Sequence, residues 1–214
     1  MNPIAKRTVT ALTVAAIVVC AVVFAPPAAI APVVAVLGVL AFAEFAQLLA
    51  KRLVPFSGGY MASLAVGLLI IACAFAVIPL IVYDHGNLRL LYVLAIVKIA
   101  DMGGFAFGVA FGRHKMCPAI SPNKSWEGLA GSVFASSLIS CCFMSVTRFG
   151  FAKSVLMGVT AALIGTFGDL VESKFKRWVG VKDSSTMSFT NGMGGLLDMF
   201  DSLTFAPAVL YAFL

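Results

Sequence analysis

The chain has 214 residues, of which 61% are hydrophobic and only 11% charged, where an average soluble domain is about a quarter charged. So few polar residues cannot cover a water-soluble fold, which leaves an integral membrane protein. The net charge of +6 would suggest nucleic acid in a soluble protein. Here the basic residues sit mostly in short loops between apolar stretches, where they orient helices and meet anionic lipid or nucleotide phosphates, and no nucleic-acid partner is expected.

A spanning helix needs about 20 apolar residues, because each adds about 1.5 Å across a core about 30 Å thick. Seven stretches qualify: residues 8–25, 28–50, 61–83, 88–111, 126–147, 154–172 and 194–214. Pro26-Pro27, Pro55 to Gly59, Asp84 to Asn87 and the Pro118–Pro122 region supply the breaks. Lys6-Arg7 before the first stretch could open a signal peptide, but Pro26 and Pro27 make a poor small-residue cleavage site, so an uncleaved helix is expected. The expected fold is all-α, a polytopic membrane protein of about seven transmembrane helices. Cys20, Cys73, Cys141 and Cys142 fall in apolar stretches and Cys117 in a loop, a pattern with neither a disulfide framework nor zinc spacing.

Orientation follows from counting. With seven spans, one side collects Lys6, Arg7, Lys51, Arg52, Arg113, Lys115, Lys124, Lys174, Lys176, Arg177 and Lys182, eleven in all. The other collects three: Arg89, Arg148 and Lys153. The positive-inside rule puts the N-terminus in the cytoplasm and the C-terminus outside.

Of nine acidic residues, six lie in or at the ends of spans: Glu44, Asp101, Asp169, Glu172, Asp198 and Asp201. An ionised carboxylate at mid-bilayer costs at least about 2.5–3.5 kcal/mol, so such groups are functional by default or paired. Asp101 has Lys98 one turn away as a candidate partner. Asp169 and Glu172 are three apart on one helix, as are Asp198 and Asp201 on the next, and that spacing shares a face. Two helices joined by the 173–193 loop can thus aim four carboxylates at one point, which suits a hard divalent cation that also takes substrate phosphates. The structural alternative pairs these groups with Lys174, Lys176 and Arg177 and nothing further. Gly104, Gly108 and Gly112 repeat every fourth position on the face of Asp101, and close helix packing is the expected reading of that stripe. The same face makes a homodimer reasonable.

Two loops complete the pattern. One ends in Ser121-Pro122-Asn123-Lys124-Ser125-Trp126-Glu127-Gly128, where Ser125 reads as a helix cap with Glu127 in the first turn. The other, Lys174 to Gly195, holds Lys176-Arg177, Lys182-Asp183, Ser184-Ser185 and Gly192-Met193-Gly194-Gly195. Lysine and arginine bind phosphate, and glycines before a helix N-terminus let backbone N–H groups reach an anion. Carboxylates and loops together describe a cation and a polyphosphate.

At these residues a resemblance emerges. Gly168-Asp169-Leu170-Val171-Glu172-Ser173-Lys174-Phe175-Lys176-Arg177, then Lys182-Asp183-Ser184-Ser185, then Gly194-Gly195-Leu196-Leu197-Asp198-Met199-Phe200-Asp201-Ser202-Leu203 resemble the C-terminal signature of the phosphatidate cytidylyltransferases, the CDP-diacylglycerol synthases. Ser121 to Gly128 resembles their upstream element, and Asp101 matches the acid before it. The likeness covers about residues 95–214, which makes 91–214 the catalytic region and 1–90 a set of N-terminal helices within one continuous membrane domain.

The resemblance implies transfer of a cytidylyl group from CTP to phosphatidic acid, in the lipid bilayer of a bacterial cytoplasmic membrane, with the site facing the cytoplasm. It implies Mg2+, with room for a second cation, held by Asp169, Asp198 and Asp201. Lys182 and Asp183 join those three in catalysis, while Asp101, Ser121, Lys124, Lys176, Arg177 and Ser184 bind substrate. Three features depart from the family: Met193 where it usually has histidine, Met199 where it usually has arginine, and a loop about two residues longer before Gly194. Competing readings are the same chemistry or a CTP-dependent kinase acting on another lipid phosphate or polyprenol, an inactive paralogue, and a proton- or cation-coupled transporter. The last is disfavoured by unequal spans without an inverted repeat.

Overall fold

The structure, a computed structural model, describes residues 13, 16–181 and 196–214, leaving the side chains at 196 and 198–200 outside the description. Residues 16–24 are helical (α1). There follow α2 (Pro27–Ala50), α3 (Gly58–His85), α4 (Asn87–Phe111), β1 (Lys115–Cys117), β2 (Ser121–Ser125), α5 (Trp126–Cys142), the short α6 (Met144–Thr147), α7 (Phe151–Val179) and α8 (Leu196–Tyr211). The protein is an all-α membrane protein. α2, α3, α4 and α7 are long and apolar enough to cross a bilayer. α5 and α8, of 17 and 16 residues, are shorter, and of the first predicted span, 8–25, the structure describes residues 13 and 16–25, helical over 16–24.

Two features, the end of α7 and the 112–125 loop, differ from the predicted pattern for physical reasons. α7 runs to Val179, past the predicted end at 172, because its polar last turns are held within the helix. Lys176 reaches back to Glu172 at 3.2 Å, and Gly180 closes the helix in the left-handed region at φ 83°. The 112–125 loop contains a small antiparallel hairpin, pairing Lys115 with Ser125 and Cys117 with Ser121 across a bulge. Ser125 caps α5 as expected, accepting from the Gly128 N–H at 3.1 Å.

The glycine stripe of α4 packs within the chain. A Cβ at Gly104 would fall 2.4 Å from Ser132 Oγ, and one at Gly131 would fall 2.4 Å from Phe107, so α4 and α5 approach nearly backbone to backbone. The face on which a homodimer was expected is therefore covered by α5. Buried serines then join α5 to α7: Ser136 donates to the Gly158 carbonyl at 2.8 Å and Ser140 to that of Ser154 at 2.6 Å. In an apolar medium such hydroxyls add directional contacts that aliphatic side chains cannot. At the opposite end of α4 from the hairpin, Arg89 donates to the carbonyls of Thr147 (2.7 Å) and Leu214 (3.3 Å). The apolar core runs through α2, α3, α4, α7 and α8, with Ile81, Tyr92, Val93, Ile96 and Leu210 wholly enclosed.

Candidate active site

The site lies where α4, α7 and α8 meet, and packing sets its spacing. α7 offers Gly165 and Gly168 to α8, and a Cβ at Gly168 would fall 2.7 Å from the Asp201 carbonyl oxygen. That small face lets the carboxylates of the two helices stand side by side.

From α4, Asp101 accepts through Oδ2 from Ser202 Oγ at 2.8 Å and from Lys98 Nζ at 3.3 Å. Lys98 also donates to Ser202 Oγ at 3.1 Å. The i, i+3 pair legible in the sequence is thus formed, and it is extended onto α8 by a serine the sequence reading did not single out. Its signal was a hydroxyl directly after Asp201, within the stretch that resembles the family signature. From β2, Lys124 meets Asp169 Oδ2 at 2.7 Å and the Thr166 carbonyl at 3.3 Å. The other oxygen, Asp169 Oδ1, is buried with no hydrogen-bond partner. On α8, the Ser202 N–H donates to Asp201 Oδ1 at 2.6 Å.

Asp101, Asp169 and Asp201 lie within electrostatic reach of one another, and Asp101 and Asp201 within reach of Lys98. Counted as ionised with Lys98 and Lys124, three carboxylates against two ammonium groups leave net negative charge in a largely enclosed place. Such a cluster calls for a cation or a proton. Among the described residues no three such groups by themselves converge as metal ligands. Asp198 begins the same helix as Asp201, with its side chain outside the description. A buried oxygen without a partner on Asp169 and a neighbouring Asp201 fit Mg2+, which keeps one or two carboxylates and completes its shell from substrate.

Other predicted residues take neighbouring places. Ser121 starts β2 beside Cys117. Arg177 Nε donates to the Ile120 carbonyl at 3.5 Å, tying the end of α7 to the hairpin turn. Glu172 and Lys176 pair within α7. Lys182, Asp183, Ser184 and Met193 lie outside the described residues, as does the side chain of Met199. Beside the cluster, α2, α3, α7 and α8 line an open cavity of about 450 Å3, walled by Phe45, Val66, Ile70 and Phe175 and carrying Glu172 and Asp201 on its lining.

A family model described as the cytidylyltransferase family matches residues 60–214. Among similar proteins, a phosphatidate cytidylyltransferase of Staphylococcus aureus is 42% identical over 129 residues, covering 59% of this chain and 49% of the relative. One of Haemophilus influenzae is 40% identical over 133 residues, covering 57% and 44%. One of Chlamydia muridarum is 37% identical over 131 residues, covering 58% and 42%. The chain thus matches about half the length of these curated relatives.

Proposed function

The chain belongs to the cytidylyltransferase family, and from that premise we propose that it makes CDP-diacylglycerol and pyrophosphate from CTP and phosphatidic acid. The observation that carries the reading is the meeting of two environments. A carboxylate and ammonium cluster suited to a cation and phosphates sits at Asp201, on the wall of an apolar cavity of about 450 Å3. A soluble nucleotide has no use for such a cavity, whereas a lipid phosphate needs both.

In the reaction a phosphate oxygen of the lipid attacks the α-phosphorus of CTP. One P–O bond forms as the bond to the bridging oxygen breaks, and pyrophosphate leaves with that electron pair. Positioning and electrostatics carry such transfers, so no covalent protein intermediate is required. Asp169, Asp198 and Asp201 are the proposed magnesium ligands, with room for a second cation; magnesium, when bound, neutralises charge on the nucleotide and leaving group. Lys124 fixes Asp169 by one oxygen, which leaves the other for the cation. Asp101 and Lys98 hold Ser202, and with it the helical turn that carries Asp201. Lys176, Arg177, Lys182, Asp183, Ser184 and Ser121 are assigned to the nucleotide and the phosphates, Lys and Arg through charge-assisted hydrogen bonds. The basic side of the chain, eleven residues against three, supports a cytoplasmic site in a bacterial inner membrane.

The test is purified protein with labelled CTP, Mg2+ and a panel of lipid phosphates, phosphatidic acid and polyprenyl phosphate among them, scored for a CDP-lipid. A CDP-lipid from phosphatidic acid supports the assignment. Product only from another lipid phosphate reassigns the substrate, and no CDP-lipid from any of them refutes the chemistry.

A further inference from the structure

Glu44 is buried to 2% exposure in α2, ahead of the residues that the family model matches. It stands on that helix's buried face, between Ala41 and Leu48, both wholly enclosed. Next to it, Phe45 stacks on Phe175 of α7 with ring centroids 5.0 Å apart, which fixes α2 against the helix bearing Asp169. Glu44 Oε2 accepts the backbone N–H of Leu197 at 3.0 Å, while Oε1 is buried with no partner. Leu197 is the second residue of α8. Its N–H is one of the first-turn donors that a helix cannot satisfy internally, and a carboxylate there also meets the positive end of the helix dipole. The next residue is Asp198, and Asp201 follows one turn later.

We infer that Glu44 is a positioning residue: it docks the start of α8 against α2 and thereby sets where Asp198 and Asp201 stand. A carboxylate 153 residues away in sequence meets this first-turn donor. Its value lies in reach, since the hydrogen bond requires an acceptor at the length of a glutamate side chain. This inference rests on the proposed role of Asp198 and Asp201 in holding a cation.

The test separates reach from charge. Glu44→Asp keeps the charge but withdraws the acceptor by one carbon–carbon bond; Glu44→Gln keeps an acceptor at full reach and removes the charge. Both are made in the full chain, reconstituted in nanodiscs. They are read by amide hydrogen exchange at the start of α8 and by Mn2+ affinity from electron paramagnetic resonance, with exchange in α4 and α5 as the control for folding. The Asp variant should exchange at least tenfold faster at α8 and bind Mn2+ at least tenfold more weakly, while the Gln variant stays within threefold of the parent. Leu197→Pro removes the donor from the other side, at a first-turn position that tolerates proline, and must reproduce the loss whether or not Glu44→Asp assembles. The inference is overturned by a Gln variant as impaired as Asp or worse, by an Asp variant that matches the parent, or by a Leu197→Pro chain that does. A parent protein that binds no Mn2+ refutes the cation assignment instead, and α8 exchange then decides on Glu44 alone.

Discussion

Replacing Lys124 with methionine isolates its ion pair with Asp169, which joins the hairpin to α7. Both side chains are largely enclosed, 23% and 22% exposed, and their atoms meet at 2.7 Å. Methionine fills similar volume without the charge, so the change leaves Asp169 with both oxygens unpartnered in a site already rich in carboxylates. A charge-assisted hydrogen bond contributes about 1.5–3 kcal/mol. At about 2–4 °C per kcal/mol for a chain of this size, the melting temperature should fall by about 3–12 °C. The double variant Lys124→Met/Asp169→Asn removes the unpaired charge along with its partner. If the two groups act on each other, it should melt above Lys124→Met alone. Thermal melts of the purified protein in one detergent, completed as a double-mutant cycle, supply the coupling directly. Strictly additive losses would refute the pair as an energetic unit. Turnover reports separately: kcat/KM of Lys124→Met should drop by about one to two powers of ten, the kinetic equivalent of the same free energy.

Four further outcomes follow from the same arrangement. Asp169→Asn and Asp198→Asn should each abolish CDP-lipid formation while the protein still inserts and folds, because Asn keeps shape but removes ligand charge; near-parental turnover in both would end the metal assignment. Gly103→Ala forces a Cβ to 2.5 Å from Ala135 and 2.7 Å from the Gly131 carbonyl oxygen, an overpacking that typically costs about 1–3 kcal/mol, and should appear as a lower melting temperature. Lys182→Ala should leave melting nearly unchanged but weaken use of CTP by about one to two powers of ten, as expected for one charge-assisted hydrogen bond lost; an unchanged apparent CTP affinity would remove that loop from the nucleotide. Single cysteines at Ser185 and Leu214, in a background without native cysteines, should label from opposite sides of the membrane, and labelling from one side would remove the seven-span topology.

What the sequence made legible was whatever periodicity and short-range spacing encode. The positions of α2, α3, α4 and α7 followed from apolar length, the Ser125 cap from a hydroxyl before a helical run, and the Lys98–Asp101 pair from their i, i+3 spacing. The end of α7 was misplaced because hydropathy falls at Lys174 and Lys176 although the helix continues, its Glu172–Lys176 contact spanning one turn. The hairpin carried no alternating pattern. It is held instead by neighbours that only the fold brings together: Glu127 accepts the His114 N–H at 3.2 Å and meets its ring nitrogen at 2.6 Å, while the Trp126 N–H donates to the His114 carbonyl at 3.0 Å. Asp101, Lys124, Asp169 and Asp201 each stood out in the sequence, but the contacts they make across helices did not. Lys124 and Asp169 are 45 residues apart, Asp101 and Ser202 are 101, and Glu44 and Leu197 are 153. Within a single helix, spacing implies contact; across helices it implies nothing until packing sets the register. That register is itself written in the sequence as small residues. Gly104, Gly131, Gly165 and Gly168 mark where helices close, and the polar groups beside those closures are the ones that meet. In an apolar chain, then, the informative unit is a charged residue within a turn of a small one, as Asp101 stands to Gly104 and Asp169 to Gly168.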